Sequence, residues 1–139
     1  MFETRVQTYW DDADAAGMVY FAHFFRFAEY AETELFRSTG TERMKLYEEF
    51  DVWMPRVESF AKFSKPIHAE EAIFVRIRTR FKGEKTVRME FEILSVVDRE
   101  LLAEGYVTAV CIDRRSSKSR PLPAEMREIF SRAAADTLE

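Results

Sequence analysis

The chain has 139 residues, a formal net charge of −4 and 47% hydrophobic side chains, which predicts one packed domain spanning residues 1–139 rather than disorder. The acidic balance argues against a general nucleic-acid-binding protein, whose contact surface would be basic. No membrane-length apolar run or secretory signal pattern is visible, and the lone Cys111 has no internal disulfide partner, so we expect no membrane partner and a reducing, cytoplasmic setting.

The first predicted element is a strand over Glu3–Trp10, where alternate side chains face opposite sides. The acidic turn, residues 11–17, follows with three aspartates and ends at Gly17, which allows a positive φ or a close backbone approach. Apolar residues at helical spacing then predict a long helix from about Tyr20 to Ser38. An acid-lined turn at a helix N-terminus can hold a carboxylate beside unpaired backbone N–H donors, which suits chemistry at a carbonyl group.

The rest of the chain is predicted to form mainly strands. A short helix over Arg43–Phe50, capped at Thr41, comes first, and a last helix runs from Pro123 to about Ala135. Between them the pattern has period two, and the predicted strands cover residues 56–63, 73–80, 87–95 and 101–112. Consecutive strands with short connections indicate an antiparallel sheet, and the apolar long helix needs a sheet to cover it. We therefore expect an α+β fold with a five-stranded antiparallel sheet wrapped around a long central helix, and an edge strand open to pairing between chains.

The acidic turn and the residues after it carry the spaced run Asp12-x-Asp14-x-x-Gly17-x-Val19-Tyr20. This run before a long helix resembles the hotdog-fold acyl-CoA thioesterases, and within them the 4-hydroxybenzoyl-CoA thioesterase-like group that includes the YbgC-type enzymes. The segments Phe63–Pro66 and Leu102–Gly105 are also similar to that group, so the resemblance covers nearly the whole chain. It implies hydrolysis of an acyl-CoA, with an aromatic or short to medium aliphatic acyl group, to free acid and CoA without a metal or redox cofactor. It also implies a homodimer or homotetramer, with a pocket completed across the dimer interface.

The resemblance also implies which residues act. The second aspartate of the run, Asp14, corresponds to the catalytic carboxylate, which serves as a nucleophile or as a general base for water. A backbone N–H at about Phe21 corresponds to the donor that polarises the thioester carbonyl. Both roles agree with the chemistry, because a thioester needs an activated oxygen nucleophile and a preorganised oxyanion site. The expected substrate-binding residues are Gly17, Tyr20, His23 and Phe24.

Several residues of this region stay open to other interpretations. An aspartate before a helix is commonly part of turn and capping chemistry, and Asp12 fits such a structural role better than catalysis. His23 is equally consistent with a pocket residue and with a satisfied core or interface histidine. The chain also departs from its relatives: Phe21 stands where YbgC-like enzymes often carry His, and His23 where they commonly have Asn or Ser. An apolar Phe21 would favour an aromatic or more apolar acyl group.

Other chemistries find less support in the sequence. Two histidines, His23 and His68, lack the spacing of a zinc site, and the acidic turn lacks the glutamate that an EF-hand loop needs at its twelfth position, so no metal site is predicted. Glu29 and Glu32 favour a structural or interface role over that of a second catalytic carboxylate. The alternative functions are a hotdog-fold acyl-CoA hydratase or dehydratase and a non-catalytic acyl-binding protein. Candidate contacts for CoA phosphates are the basic residues Arg76, Arg78, Arg80, Lys82, Lys85, Arg114, Arg115, Lys118 and Arg120.

Overall fold

A computed structural model describes residues 1–134, and the predicted end of the last helix at Ala135 lies outside the described residues. The elements in chain order are β1 (Phe2–Gln7), α1 (His23–Arg37), α2 (Arg43–Phe50), β2 (Val52–Trp53), β3 (Arg56–Phe63), β4 (Ala72–Lys82), β5 (Thr86–Ser95), β6 (Leu101–Val110), β7 (Ile112–Asp113) and α3 (Ala124–Ser131).

The main sheet has five strands in the order β1-β4-β5-β6-β3, and every neighbouring pair is antiparallel. The predicted five-stranded antiparallel sheet is thus confirmed. Its central strands alternate as the sequence predicted, with one set of side chains buried: Ile73, Val75, Ile77, Val87, Met89, Phe91 and Ile93. The predicted last strand is divided at buried Cys111, after which β7 leaves the main sheet to pair with β2. β3 forms one edge of the sheet.

Helix α1 packs against the buried face of this sheet, where it contacts β1, β4 and β3. Its apolar stripe is buried along the whole helix, at Phe24, Phe27, Ala28, Ala31, Leu35 and Phe36. Burial of each large apolar side chain contributes about 1.5–3 kcal/mol, so this stripe fixes the position of the helix. At its C-terminal half Phe36 meets Phe130 of α3 edge to face, with ring centroids 5.3 Å apart. Within the described residues, no helix is long and apolar enough to span a membrane.

The first strand ends earlier than the sequence predicted. β1 stops at Gln7, and Trp10 belongs to a 3-10 turn over Trp10–Asp12 instead of the strand. Hydrogen bonds explain the change: the Tyr9 N–H donates to Asp12 Oδ2 at 2.8 Å, and the Asp12 N–H donates to the Tyr9 carbonyl at 3.1 Å. Together they turn the chain, so the alternation seen in the sequence ends before Trp10.

Two helix starts also differ. α1 begins at His23 instead of about Tyr20, because the chain before it is closed by bonds between residues three apart: the His23 N–H donates to the Tyr20 carbonyl at 2.9 Å and the Phe24 N–H to the Phe21 carbonyl at 3.3 Å. α2 has Glu42 in the capping position in extended conformation with no side-chain cap, so the predicted Thr41 cap is wrong. The first difference leaves a short non-helical segment between the acidic turn and α1.

One glycine holds the edge strand close to the core. A Cβ atom added to Gly105 would lie 2.0 Å from the carbonyl oxygen of Phe60 in β3 and 2.9 Å from a ring carbon of Phe91. Only glycine fits there, so β3 approaches β6 more closely than a side chain would permit.

Candidate active site

Asp14 is held by the backbone of its own turn. Its N–H donates to the Met18 carbonyl at 2.8 Å, and the Gly17 N–H donates to the Asp14 carbonyl at 3.0 Å, with Gly17 at φ +80° as predicted. The carboxylate oxygen Oδ1 accepts the N–H of Ala16 at 2.9 Å and that of Met18 at 3.4 Å. Oδ2 accepts no hydrogen bond from residues 1–134, and no cation of that segment forms an ion pair with Asp14. One oxygen is therefore fixed and the other is available.

The available carboxylate faces an open cavity of about 380 Å³ between the acidic turn, the start of α1 and the end of β3. Three aromatic rings form much of its apolar wall. Phe63 meets Phe24 edge to face at a centroid distance of 4.8 Å and Phe21 at 6.5 Å. The Val19 N–H donates to the Ile67 carbonyl at 2.7 Å and so holds the acidic turn against the segment that follows β3.

The segment between the acidic turn and α1 leaves two amides unpaired. The Tyr20 N–H donates to the Asp12 carbonyl and the His23 N–H to the Tyr20 carbonyl, each at 2.9 Å. The N–H groups of Phe21 and Ala22 find no acceptor in the described part of the chain. Such free donors are typical of the start of a helix, where the helix dipole also favours negative charge. Because Phe21 lies on the cavity wall, its amide is a candidate oxyanion donor.

Asp12 has the opposite environment to Asp14. Only 5% of its surface is exposed, and Oδ2 accepts the Tyr9 N–H. Oδ1 lies 3.1 Å from Nδ1 of His23 and 3.5 Å from Nη1 of Arg26. These partners engage both oxygens, which supports a structural role for Asp12.

The structure brings together half of the predicted site residues. Those that line the cavity are Asp14, Phe21 and Phe24. The others lie beside it: Gly17 shapes the turn, and His23 binds Asp12. The ring of Tyr20 packs against those of Phe21 and His23 at 4.8 and 5.8 Å.

The sequence analysis did not assign the end of β3 to the site. The cavity is also lined by Phe63, Ser64 and Lys65, although they lie 46 to 48 residues after the end of the acidic turn. Lys65 is engaged in an ion pair with Glu100, and the Ser64 N–H donates to the Leu102 carbonyl at 2.9 Å. The one sequence signal was the resemblance of the Phe63–Pro66 segment to the thioesterases.

A second group of carboxylates lies between α1, α2 and β3. Glu32 is fully buried, with its two oxygens 2.5 Å from Arg56 Nη2 and 2.8 Å from Arg43 Nη1. Glu29 lies 2.8 Å from Arg56 and 3.3 Å from Arg43. Burial opposes the charged form of Glu29, but the two arginines outweigh it and lower its pKa. Burial and the nearby Glu32 raise the pKa of Tyr47. This buried charge cluster supports a structural role for both glutamates.

A larger depression, of about 440 Å³, lies on the outer face of the sheet. Two of the carboxylates on its wall are paired with arginines: Glu92 lies 2.6 Å from Arg76, and Glu90 lies 2.7 Å from Arg80. The cavity of about 380 Å³ is the better candidate because the Asp14 carboxylate on its wall has no ion-pair partner in the described residues and has one free oxygen.

The basic residues predicted to contact CoA phosphates are not tested by these contacts. One of them, Arg115, already has a partner, Asp51 at 3.1 Å, so phosphate contact stays a prediction. In the described residues no group of three or more His, Cys, Asp or Glu side chains could hold a metal ion.

Comparisons with known proteins match most of the chain. A family model described as the thioesterase-like superfamily matches residues 8–130. Acyl-CoA thioester hydrolase YbgC of Escherichia coli is 28% identical over 124 residues, which are 88% of this chain and 90% of the relative. The 1,4-dihydroxy-2-naphthoyl-CoA hydrolase of Synechocystis is 26% identical over 122 residues, 88% of each chain. The crystal structure of a Synechocystis 1,4-dihydroxy-2-naphthoyl-CoA thioesterase superposes with a TM-score of 0.87 at 25% identity, covering 94% of this chain and 95% of that one.

Proposed function

This chain belongs to the thioesterase-like superfamily, and we propose that it hydrolyses acyl-CoA thioesters at the cavity beside Asp14. It has the hotdog fold of its structural neighbours, so the predicted fold is confirmed. Relatives named as acyl-CoA thioester hydrolases match 88% of its length or more. The observation that carries the site assignment is the carboxylate of Asp14, which has one free oxygen and lines the same cavity as Phe21, whose N–H has no acceptor among residues 1–134.

The proposed reaction begins with the thioester carbonyl oxygen bound to the Phe21 N–H. Negative charge grows on this oxygen as the tetrahedral intermediate forms, and a donor already in place stabilises that charge without reorganisation. Removal of one such donor typically costs roughly 100- to 1,000-fold in rate. The dipole of α1 acts in the same direction, because its N-terminal end lies next to this amide.

Two routes use the same Asp14 carboxylate. In the first, an Asp14 oxygen adds to the carbonyl carbon, the CoA thiolate leaves, and water hydrolyses the mixed anhydride. In the second, Asp14 takes a proton from water while the water oxygen forms the new C–O bond, and the C–S bond breaks as CoA leaves and is protonated. Single turnover in ¹⁸O-labelled water distinguishes them, because label in the Asp14 carboxylate requires the anhydride.

The cavity wall favours an apolar acyl group. Phe21, Phe24 and Phe63 supply three rings, and the polar side chains on the wall are few: Asp14, Ser64 and Lys65. A volume of about 380 Å³ accommodates an aromatic ring or a short to medium aliphatic chain. We expect these acyl groups to be preferred over charged ones.

We propose a homodimer, formed through β3, as the active assembly, with a homotetramer built from it as the alternative. In residues 1–134, β3 pairs on one side only, with β6, and its other side is an open strand edge. Val57 is 59% exposed and Phe63 46% exposed on this strand, which is unusual for an edge that stays unpaired. A second copy of the chain paired with this edge would add a wall to the cavity next to Phe63.

The reducing, cytoplasmic setting expected from the sequence stays a prediction.

A charge at this edge tests the assembly. We expect the wild-type protein to have twice the chain mass of 16.4 kDa or more in light scattering, and Val57→Lys to reduce it to one chain with loss of kcat/KM. Val97→Lys is the matched control, because Val97 is 93% exposed in the connection after β5. A wild-type monomer with full activity would contradict the dimer.

Thiol release from a panel of aliphatic and aromatic acyl-CoAs tests the proposed function. Wild-type protein should release CoA, whereas Asp14→Asn should release it at least about 100-fold more slowly. Asp11→Asn serves as the matched control because Asp11 is an exposed aspartate of the same turn. Hydrolysis by Asp14→Asn at the wild-type rate would overturn the assignment. Hydration of an enoyl-CoA with an intact thioester would indicate the hydratase alternative, and tight binding without turnover the acyl-binding one.

A further inference from the structure

The Asp12 side chain connects three parts of the site region. Its Oδ2 accepts the Tyr9 N–H at 2.8 Å, and its Oδ1 lies 3.1 Å from Nδ1 of His23, the first residue of α1. Its backbone carbonyl accepts the Tyr20 N–H at 2.9 Å. Since a carboxylate only accepts hydrogen bonds, Nδ1 of His23 carries the proton in this contact.

These contacts tie down both neighbours of a two-residue segment. Tyr20 precedes Phe21 and is bound to the Asp12 carbonyl, while His23 follows Ala22 and is bound to the Asp12 carboxylate. The His23 N–H donates to the Tyr20 carbonyl at 2.9 Å and closes the turn between them. The Phe21 N–H has no acceptor among the described residues, so its direction depends on the contacts of Tyr20 and His23 and on the Phe24 N–H that donates to the Phe21 carbonyl at 3.3 Å.

We propose that the Asp12–His23 contact positions the Phe21 amide for the thioester carbonyl, so that His23 is a positioning residue for the reaction. The proposal rests on the proposed function, because it needs the Phe21 N–H as the oxyanion donor. A misplacement of about 1 Å in such a donor can cost about 100-fold in rate. Loss of the His23 side-chain contact would remove the tie between α1 and Asp12 while Asp12 stays bound to Tyr9. The segment would then be held at its C-terminal end only by the His23 N–H on the Tyr20 carbonyl and the Phe24 N–H on the Phe21 carbonyl.

Two replacements of His23 separate positioning from packing. In asparagine, Nδ2 is the same number of bonds from Cα as Nδ1 of histidine, so His23→Asn can still donate to Asp12 Oδ1. Leucine fills space without a donor. We expect His23→Leu to lower kcat about 10- to 100-fold with KM within about twofold, and His23→Asn to restore most of kcat. A role in packing alone would not separate kcat from KM in this way.

Hydrogen exchange provides a readout that needs no substrate. We expect the backbone amides of residues 20–23 to exchange faster in His23→Leu than in His23→Asn or the wild type. Wild-type exchange and kcat in His23→Leu, or equal losses in both variants, would overturn the positioning role. Asp14→Asn in the same assay keeps the outcomes distinct: turnover by that variant overturns the proposed function, whereas the exchange rates still decide whether His23 holds the segment.

Discussion

Carboxylates lie near both the start and the middle of α1, and the fold surrounds the two groups in opposite ways. Asp14 lines a cavity, and backbone amides hold one of its oxygens while the other accepts no hydrogen bond from residues 1–134. Glu32 is fully buried, and each of its oxygens lies within 2.8 Å of an arginine nitrogen. Backbone amides orient a carboxylate without adding a unit of positive charge next to it, whereas arginines compensate it. The comparison agrees with the proposed catalytic role of Asp14 and with a structural role of Glu32.

The energetic consequences differ in the same way. A buried ion pair adds little net stability over well-packed apolar residues, yet removal of one partner leaves the other charged and buried. The buried charge cluster therefore specifies how α2 and β3 meet α1 and is costly to interrupt. Asp14 is exposed, unlike Asp12 of the same turn, so a substitution of Asp14 should change activity more than stability.

The largest effect on stability is expected for Glu32→Gln. The substitution keeps the volume but removes the buried counter-charge, so that Arg43 and Arg56 share only the partly exposed Glu29. We expect the free energy of unfolding to fall by about 3 kcal/mol, the low end for breaking a buried ion pair. Urea titration measures this change, and Glu34→Gln is the control on the same helix, because Glu34 pairs only with the exposed Arg37. Loss of kcat at unchanged stability in Glu32→Gln would instead identify a second catalytic carboxylate.

A smaller effect, on specificity, is expected for Phe21→His. The exposed ring contributes to the cavity wall while its amide remains, so the variant should stay folded and active. We compare kcat/KM for an apolar aromatic acyl-CoA with kcat/KM for a hydroxylated one. Because the variant replaces an apolar ring of the cavity wall with a polar one, the ratio of the first to the second should fall by roughly tenfold. An unchanged ratio would show that the Phe21 side chain does not select the acyl group.

The smallest effect is expected for the pH dependence of Glu29. Its pKa is lowered from 4.5 in the folded chain, so its contribution to stability is present above about pH 4.5 and is lost as the pH falls through the lowered pKa. The Glu29–Arg56 ion pair is partly exposed, so its contribution to the free energy of unfolding is about 1 kcal/mol or less. Unfolding curves from pH 7 to pH 3 should show a wild-type advantage over Glu29→Gln that disappears at low pH. An advantage independent of pH would contradict the ion-pair account.

The sequence predicted what depends on local pattern. Period-two alternation located Ile73, Val75 and Ile77 in the core. The glycine at the end of the acidic turn predicted either a positive φ or a close backbone approach, and Gly17 has the positive φ. Contacts between distant segments were not predictable in this way. The partners of Glu32 come from two other elements, and Phe63 reaches the cavity only because β3 pairs with β6. The predicted strand does not reach Trp10 because the Tyr9 N–H donates to the Asp12 side chain and turns the chain, although the side chains still alternate in the sequence.

The most direct test of the central claim measures kcat and the free energy of unfolding of Asp14→Asn in one preparation. Asparagine can still accept the Ala16 N–H at Oδ1, so we expect the stability to stay within about 0.5 kcal/mol of the wild type. Loss of the carboxylate should lower kcat by about 100- to 10,000-fold for the best acyl-CoA substrate. Wild-type kcat in this variant, or a loss of activity fully explained by unfolding, would contradict the role of Asp14 as the catalytic carboxylate.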